Sequence, residues 1–226
     1  VTDSGTGTSF DTKRIQYEVY PVFVDAPAPL SPRRAQTRAR LVEAAEELFV
    51  AKGLHGTSIE QVCERAGFTR GAFYSNFASL DALLVAVHER RATLMIDTVR
   101  EAVGQATGDD ADPTPSSVID AVLSRLDDDR AWHVMGVEMS LAALRDPELA
   151  ARLHAERTEL VAALTPVVQR ALDASGYDAP LGAAVLTADL VAAYLGTADD
   201  RWLHHDRAST ARVMSAVVAG STRPRA

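Results

Sequence analysis

Beyond residue 33 the apolar side chains recur three and four positions apart almost without interruption, the spacing of one helix face. Leu41, Ala45, Leu48 and Phe49 form such a stripe, with Arg40, Glu43, Glu46 and Glu47 opposite, and Gly53 follows Lys52 where a left-handed C-cap is expected. Thr57 with Glu60 reads as a capping box opening a second helix, Ser58 with Gln61 being the rival register. That helix lines up Ile59, Val62, Cys63 and Ala66 and ends at Gly67; Thr69 then caps a third, from Arg70 to about Asn76, which closes on Phe77. All three are expected to be short. Ser79 starts a fourth helix reaching about Gln105, with Leu83, Leu84, Val87, Leu94, Met95, Thr98 and Val99 on one side. After a polar loop over 107–117, helices five and six cover about 117–126 and 130–144. The seventh opens on Pro147, should kink at Pro166 and stops at Gly176; the eighth and ninth occupy about 179–204 and 207–220, and a basic polar tail follows.

The first 32 residues break this pattern. A polar start gives way to IQYEVYPVFV over 15–24, which alternates like a strand with no other strand to pair with, and then to a stiff linker at Pro27, Pro29 and Pro32. An unstructured or weakly docked leader is expected, against an ordered arm or sequence translated from upstream of the true start.

A leading helix followed by helix, tight glycine turn and helix is the plan of a helix-turn-helix DNA reader. The third helix presents Thr69, Arg70, Gly71, Ala72, Tyr74, Ser75 and Asn76, all short or capable of polar contact. Glycine weakens a helix by about 1 kcal/mol relative to alanine, so Gly71 at its front points to a backbone that approaches a surface closely. Phe73 and Phe77 can dip into a small core while Tyr74 faces out, although an ordinary surface helix with an aromatic anchor has the same spacing. Arg33, Arg34 and Arg38 form a basic arm able to follow phosphates or enter a minor groove; a solvated helix start is the plainer reading.

The segments LVEAAEELFVAKG, TSIEQVCERAG and FTRGAFYSNF, with SLDALL after them, resemble the N-terminal domain of the tetracycline-repressor (TetR) family of bacterial transcription regulators. The remainder resembles that family only in length and helical character. The resemblance implies an all-α fold of about nine helices, a DNA-binding domain over 33–78 and a larger ligand-binding and dimerisation domain over 79–226. It implies a repressor released from double-stranded DNA by a small molecule. Thr69, Arg70, Gly71, Ala72 and Ser75 would then face base edges or nearby backbone, with Arg70 on a guanine, and Thr57, Ser58, Tyr74 and Asn76 would meet phosphates. Two departures stand out: Leu80 replaces a customary lysine, and Asn76 a customary histidine or tyrosine.

Charge changes meaning once it is located. The 226-residue chain carries a net charge of −8, which alone argues against nucleic acid. Yet between residues 31 and 78 seven bases (Arg33, Arg34, Arg38, Arg40, Lys52, Arg65, Arg70) outnumber five acids, whereas the parts before and after it, 1–30 and 79–226, are each net acidic. Cys63, the single cysteine, excludes an internal disulfide and sits where a small apolar residue packs. With no long apolar run and no secretory pattern, no membrane partner and a cytoplasmic location are expected.

In the second domain Ala184, Ala188, Ala192 and Gly196 recur every four residues and would let another helix approach closely. With Val213 and Val217 on the last helix they form a surface for self-pairing into a four-helix bundle, packing within the chain being the alternative. Family members usually dimerise through their last two helices, and a dimer reads a near-palindromic site. Met95, Val99, Trp132, His133, Met135, Met139 and Tyr194 are candidate pocket residues, though each alone is more often core. No cofactor, metal or catalytic role is expected: there is no Gly-rich phosphate loop, HExxH or nucleophile elbow, Asp109, Asp110 and Asp112 lack the spacing of a calcium loop, and adjacent His204 and His205 diverge. Two rival functions remain, a ligand-binding or scaffold protein with a vestigial reader and a hydrolase using His133 with the aspartates at 127–129.

Overall fold

A computed structural model describes residues 31–225 except 55, 109, 110, 112, 127–129 and 207, and excludes the side chains of Ala131 and Trp132. The leader expectations, the aspartates of the polar loop and those at 127–129 therefore lie outside the described residues, as does the Trp132 side chain. The stripes become helices α1 (Pro32–Lys52), α2 (Ile59–Ala66), α3 (Arg70–Tyr74), α4 (Leu80–Ala106), α5 (Pro115–Leu123), α6 (Arg130–Ala143), α7 (Pro147–Ser175), α8 (Ala183–Gly196), α9 (Ala198–Trp202) and α10 (Ser209–Ser221). Among the described residues the fold is all-helical apart from one small pairing of strands.

Local chemistry sets the boundaries. α1 is not short: it begins on proline, whose missing N–H costs nothing there, and meets no glycine before Gly53 (φ 75°), so it runs for 21 residues. The rival register starts α2. Ser58 Oγ accepts the Gln61 N–H and Gln61 Oε1 accepts the Ser58 N–H, at 3.3 and 3.0 Å. Thr57 is only 7% exposed and donates its hydroxyl to Gly53 O at 3.0 Å, back toward the end of α1. Asp146 caps α7, whose interior Pro166 does not end it, and Gly176 (φ 69°) closes it.

The predicted eighth helix is divided. Thr197 donates its hydroxyl to Ala193 O at 2.8 Å and lies 2.9 Å from the Thr210 hydroxyl, so the junction of α8 and α9 is fastened to α10. Counted as one broken helix, the pair restores the nine expected. The tail is docked rather than loose. β1 (Tyr177–Asp178) pairs antiparallel with β2 (Arg223–Pro224), and Arg225 bonds Asp173 and Asp178 at 2.5 and 2.7 Å. Leu94, expected on the apolar side of α4, is 50% exposed.

One core joins the reader to the helices behind it. Leu41, Phe49, Val62, Phe73, Phe77, Leu83, Leu84 and Val87 pack with Met135 and Met139 of α6, across the boundary expected after residue 78. Glu138, on the same helix, accepts the Leu54 N–H at 3.2 Å just past the end of α1. Glu138→Ala strips that donor of its partner and is expected to lower stability by about 1–2 kcal/mol, read by urea denaturation. An unchanged midpoint would show that water replaces the carboxylate at no cost. A second apolar region lies among α4, α5, α7, α8 and α10. Among the described residues no helix is long and apolar enough to cross a membrane.

Candidate functional site

The reader's outer face is built on two buried aromatics. Phe73 is fully buried and Phe77 nearly so, their ring centroids 5.9 Å apart, which fixes the rotation of α3 about its axis. Thr69 Oγ1 caps the helix by accepting the Ala72 N–H at 3.2 Å. What turns outward is Thr69, Arg70, Gly71, Tyr74 and Ser75, with Ala72 half-buried. A Cβ added at Gly71 would meet only the Thr69 hydroxyl, at 3.7 Å, so this side of the backbone is open to an approaching surface. Tyr74 is 50% exposed, its ring edge-on to Phe73.

Arg70 is presented but held. Its Nη1 lies 2.6 Å from Glu60 Oε1, and its Nη2 donates to the Tyr74 hydroxyl at 3.3 Å. Those two contacts, the tyrosine first, push the guanidinium pKa further up. The Glu60 carboxyl is pulled below the usual range by its own backbone N–H and by Arg70. Glu60 was missed in the sequence because its capping role competed with this one; the signal was an acid on α2 facing the start of α3.

The expected arm is an anchor as well. Arg34 Nη2 donates to Ser75 O at 2.7 Å, Arg38 Nη1 donates to Asn76 O at 3.3 Å, and the Arg38 guanidinium lies 4.3 Å from the Phe77 ring centroid. Both arginines tie the start of α1 to the end of α3, while Arg33 is exposed. Asn76 turns its amide inward, donating to Ala72 O at 2.8 Å. Asn76 and the buried Thr57 therefore do not present their side chains on the outer face. Ser58 is half-buried, with its hydroxyl in the cap.

Behind the reader lies an apolar cavity of about 120 Å³, measured as the space open to the centre of a water molecule. Met95, Val99 and Tyr194 line it. Met135 and Met139 do not; they are 3% and 1% exposed and belong to the reader core instead. His133 also lies elsewhere, its Nε2 2.8 Å from Asp199 Oδ1 on α9. The walls come mostly from residues that sequence reasoning passed over, among them Val118, Val122, Val167, Leu190 and Met214. The available signal was α8, which is apolar nearly all round and so needs cover on more than one side. The small-residue ridge is on the surface of the protomer: Ala184, Ala192, Gly196 and Val213 are exposed, Ala188 and Val217 half-buried. Val217 packs partly against the inner core.

Residues 41–87, spanning α2, α3 and the parts of α1 and α4 that enclose them, match the family described as bacterial regulatory proteins, tetR family. That segment is a TetR-type DNA-binding domain. Across 174 residues the chain is 26% identical to the HTH-type transcriptional activator FasR of Mycolicibacterium smegmatis, covering 77% of this chain and 75% of that one. Its fold resembles that of a TetR transcription regulator from Haloarcula marismortui, with a TM-score of 0.63 at 14% identity over 84% of this chain and all of that one. It also resembles SmeT, the repressor of the Stenotrophomonas maltophilia multidrug efflux pump SmeDEF, with a TM-score of 0.53 at 22% identity over 82% and 90% of the two chains. These structural likenesses bear on the fold alone.

The matched segment is the helix-turn-helix of a family of bacterial transcription regulators. Leu80 packs partly buried against the reader core. Cys63 is buried on α2, and burial first, then the Glu60 charge, pushes its thiol pKa up. The native protein is accordingly expected to resist a thiol reagent such as Ellman's, reacting only on unfolding. Modification at the rate of a surface thiol would contradict this packing role.

Proposed function

We propose that the protein is a homodimeric repressor that reads a near-palindromic operator with two copies of α3 and leaves it when a small molecule fills the cavity. In this reading residues 33–78 bind DNA and residues 79–226 hold the ligand and the partner subunit. The observation that carries it is the α3 face: a short capped helix, rotated by buried Phe73 and Phe77 so that Arg70, Gly71 and Ser75 point outward together. Such a face fits a major groove, where an arginine can grip guanine through two hydrogen bonds. Arg33 and Tyr74 stand at its margins and would meet phosphates; Arg34 and Arg38 hold the face in register. The exposed ridge of Ala184, Ala192 and Gly196 supports pairing with a second copy through α8 and α10.

Release works through α4. Its first turns supply Leu83, Leu84 and Val87 to the reader core, and further along Met95, Val99 and Val103 form cavity wall. A ligand that fits one position of α4 better than another shifts the spacing of the two readers only by that difference in affinity. α6 offers a parallel route through Met135, Met139 and Glu138.

The test is selection of bound sequences from random duplex DNA, followed by titration at several salt concentrations. The expectation is an inverted repeat and a steep fall of affinity with salt, as phosphate contacts release counterions. No enrichment and no salt dependence would favour a scaffold with a vestigial reader. Similarity to the activator FasR favours a second reading, activation from the same kind of site. A reporter driven by the selected site separates the two by the sign of its response.

A further inference from the structure

The cavity's wall chemistry restricts what can enter it. Among the described residues no charged side chain lines it. Two of its hydroxyls are directed to the carbonyls of their own helices, Ser175 to Ala171 O and Thr187 to Ala183 O, both at 2.7 Å. The third belongs to Tyr194, whose ring is stacked by the Arg201 guanidinium at 5.1 Å. A carboxylate, an ammonium or a cluster of hydroxyls carried into such a wall would give up its hydration without gaining partners.

Shape restricts it further. The wall runs along α7 from Leu164 to Ser175, along α8 from Leu186 to Leu195 and along α4 from Met95 to Val103. At a rise of 1.5 Å per residue these stretches are about 16, 14 and 12 Å long. Taken as spread evenly along about 14 Å, the 120 Å³ open to water centres corresponds to a thread with a mean radius of roughly 1.7 Å, which the radius of the water itself widens to a passage about 6 Å across. That bore suits one methylene chain and is tight for a compact ring system. Each methylene of an extended chain advances about 1.25 Å, given C–C bonds near 1.52 Å.

We infer that the cavity takes an uncharged, unbranched aliphatic chain of about 10–13 carbons, lying lengthwise between α4, α7 and α8. The inference rests on the proposal that this cavity is the regulator's ligand site, and it names the ligand's chemical class.

The test uses straight-chain alcohols from 1-hexanol to 1-tetradecanol as probes, with association measured by calorimetry on the full chain. Affinity is expected to rise about fourfold per added methylene, the increment for burying one CH₂, and then to level off near 12 carbons. 1-Adamantanol, with the ten carbons of 1-decanol in a compact cage, is expected to bind at least tenfold more weakly. Val191, a buried wall residue, is the site to narrow the bore. Val191→Phe is expected to move the levelling point to shorter chains; should that variant fail to fold, the break in the wild-type series still decides. A rise that continues undiminished to 14 carbons would indicate adsorption to apolar surface and overturn the inference, as would equal binding of 1-adamantanol or no binding of any alcohol. The two readings separate cleanly when each probe is added to the protein on its selected DNA site. Binding with the expected break but no loss of DNA upholds the ligand class and refutes release; intact DNA binding with no alcohol binding refutes the ligand class and leaves the reader untouched.

Discussion

Arg70→Ala is expected to abolish preference for one base pair in each half-site while leaving the fold intact. Arg70 is exposed on α3, supports no core residue, and makes its contacts with Glu60 and Tyr74, both also on the surface. Loss of a bidentate grip on guanine lowers discrimination by about 5- to 150-fold at that position, and a dimer loses it twice. The measurement is equilibrium binding to the selected site and to variants of each base pair, with circular dichroism confirming unchanged helix content. Uniform weakening across all sequences would mean that Arg70 meets phosphate and that the base-reading role belongs elsewhere on the helix. Breaking the pair from the other side has the opposite sign: Glu60→Gln removes a carboxylate from beside the DNA and releases the guanidinium, so affinity for any duplex should rise.

Phe73→Ala carries the largest expected change in stability. The ring is wholly buried and touches Phe77 and Tyr74, and it lies in the core shared by α1, α2, α4 and α6. Truncating a buried phenylalanine costs about 3–5 kcal/mol, from lost burial and from the cavity left behind. Against total stabilities of about 5–15 kcal/mol, that is between about a fifth and the whole of the margin that keeps a domain folded. Thermal and urea denaturation should show a fall of this size. A loss below about 1 kcal/mol would mean that α3 is not seated on this ring and is free to rotate.

The contrast between these two residues also shows what the sequence could and could not reveal. The alternation of Phe73 and Phe77 with Arg70, Gly71 and Tyr74 separates inside from outside within a single helix, so the face of α3 was legible. The register of α2 was not, because Thr57–Glu60 and Ser58–Gln61 both satisfy the capping pattern. Only the packing of Thr57 under the end of α1 decides between them. Met135 and Met139 were readable as buried, but helical phase tells which face is apolar, not which of two cores it meets. Thr197 carries no breaker signal; its hydroxyl bonds back to Ala193 and sideways to Thr210, a partner that only the fold supplies. The same holds for Arg225, whose bonds to Asp173 and Asp178 join positions far apart in the chain.

The central claim is that α3 lies in a major groove, twice, one helical turn apart. Dimethyl sulfate probing tests it most directly, because the reagent methylates guanine N7 on the floor of that groove. The wild-type protein on its selected site should protect two groups of guanines about 34–36 Å apart, with protection at one guanine of each group lost in Arg70→Ala. A bound complex in which every guanine N7 stays reactive, or in which a single group is protected, would contradict the account.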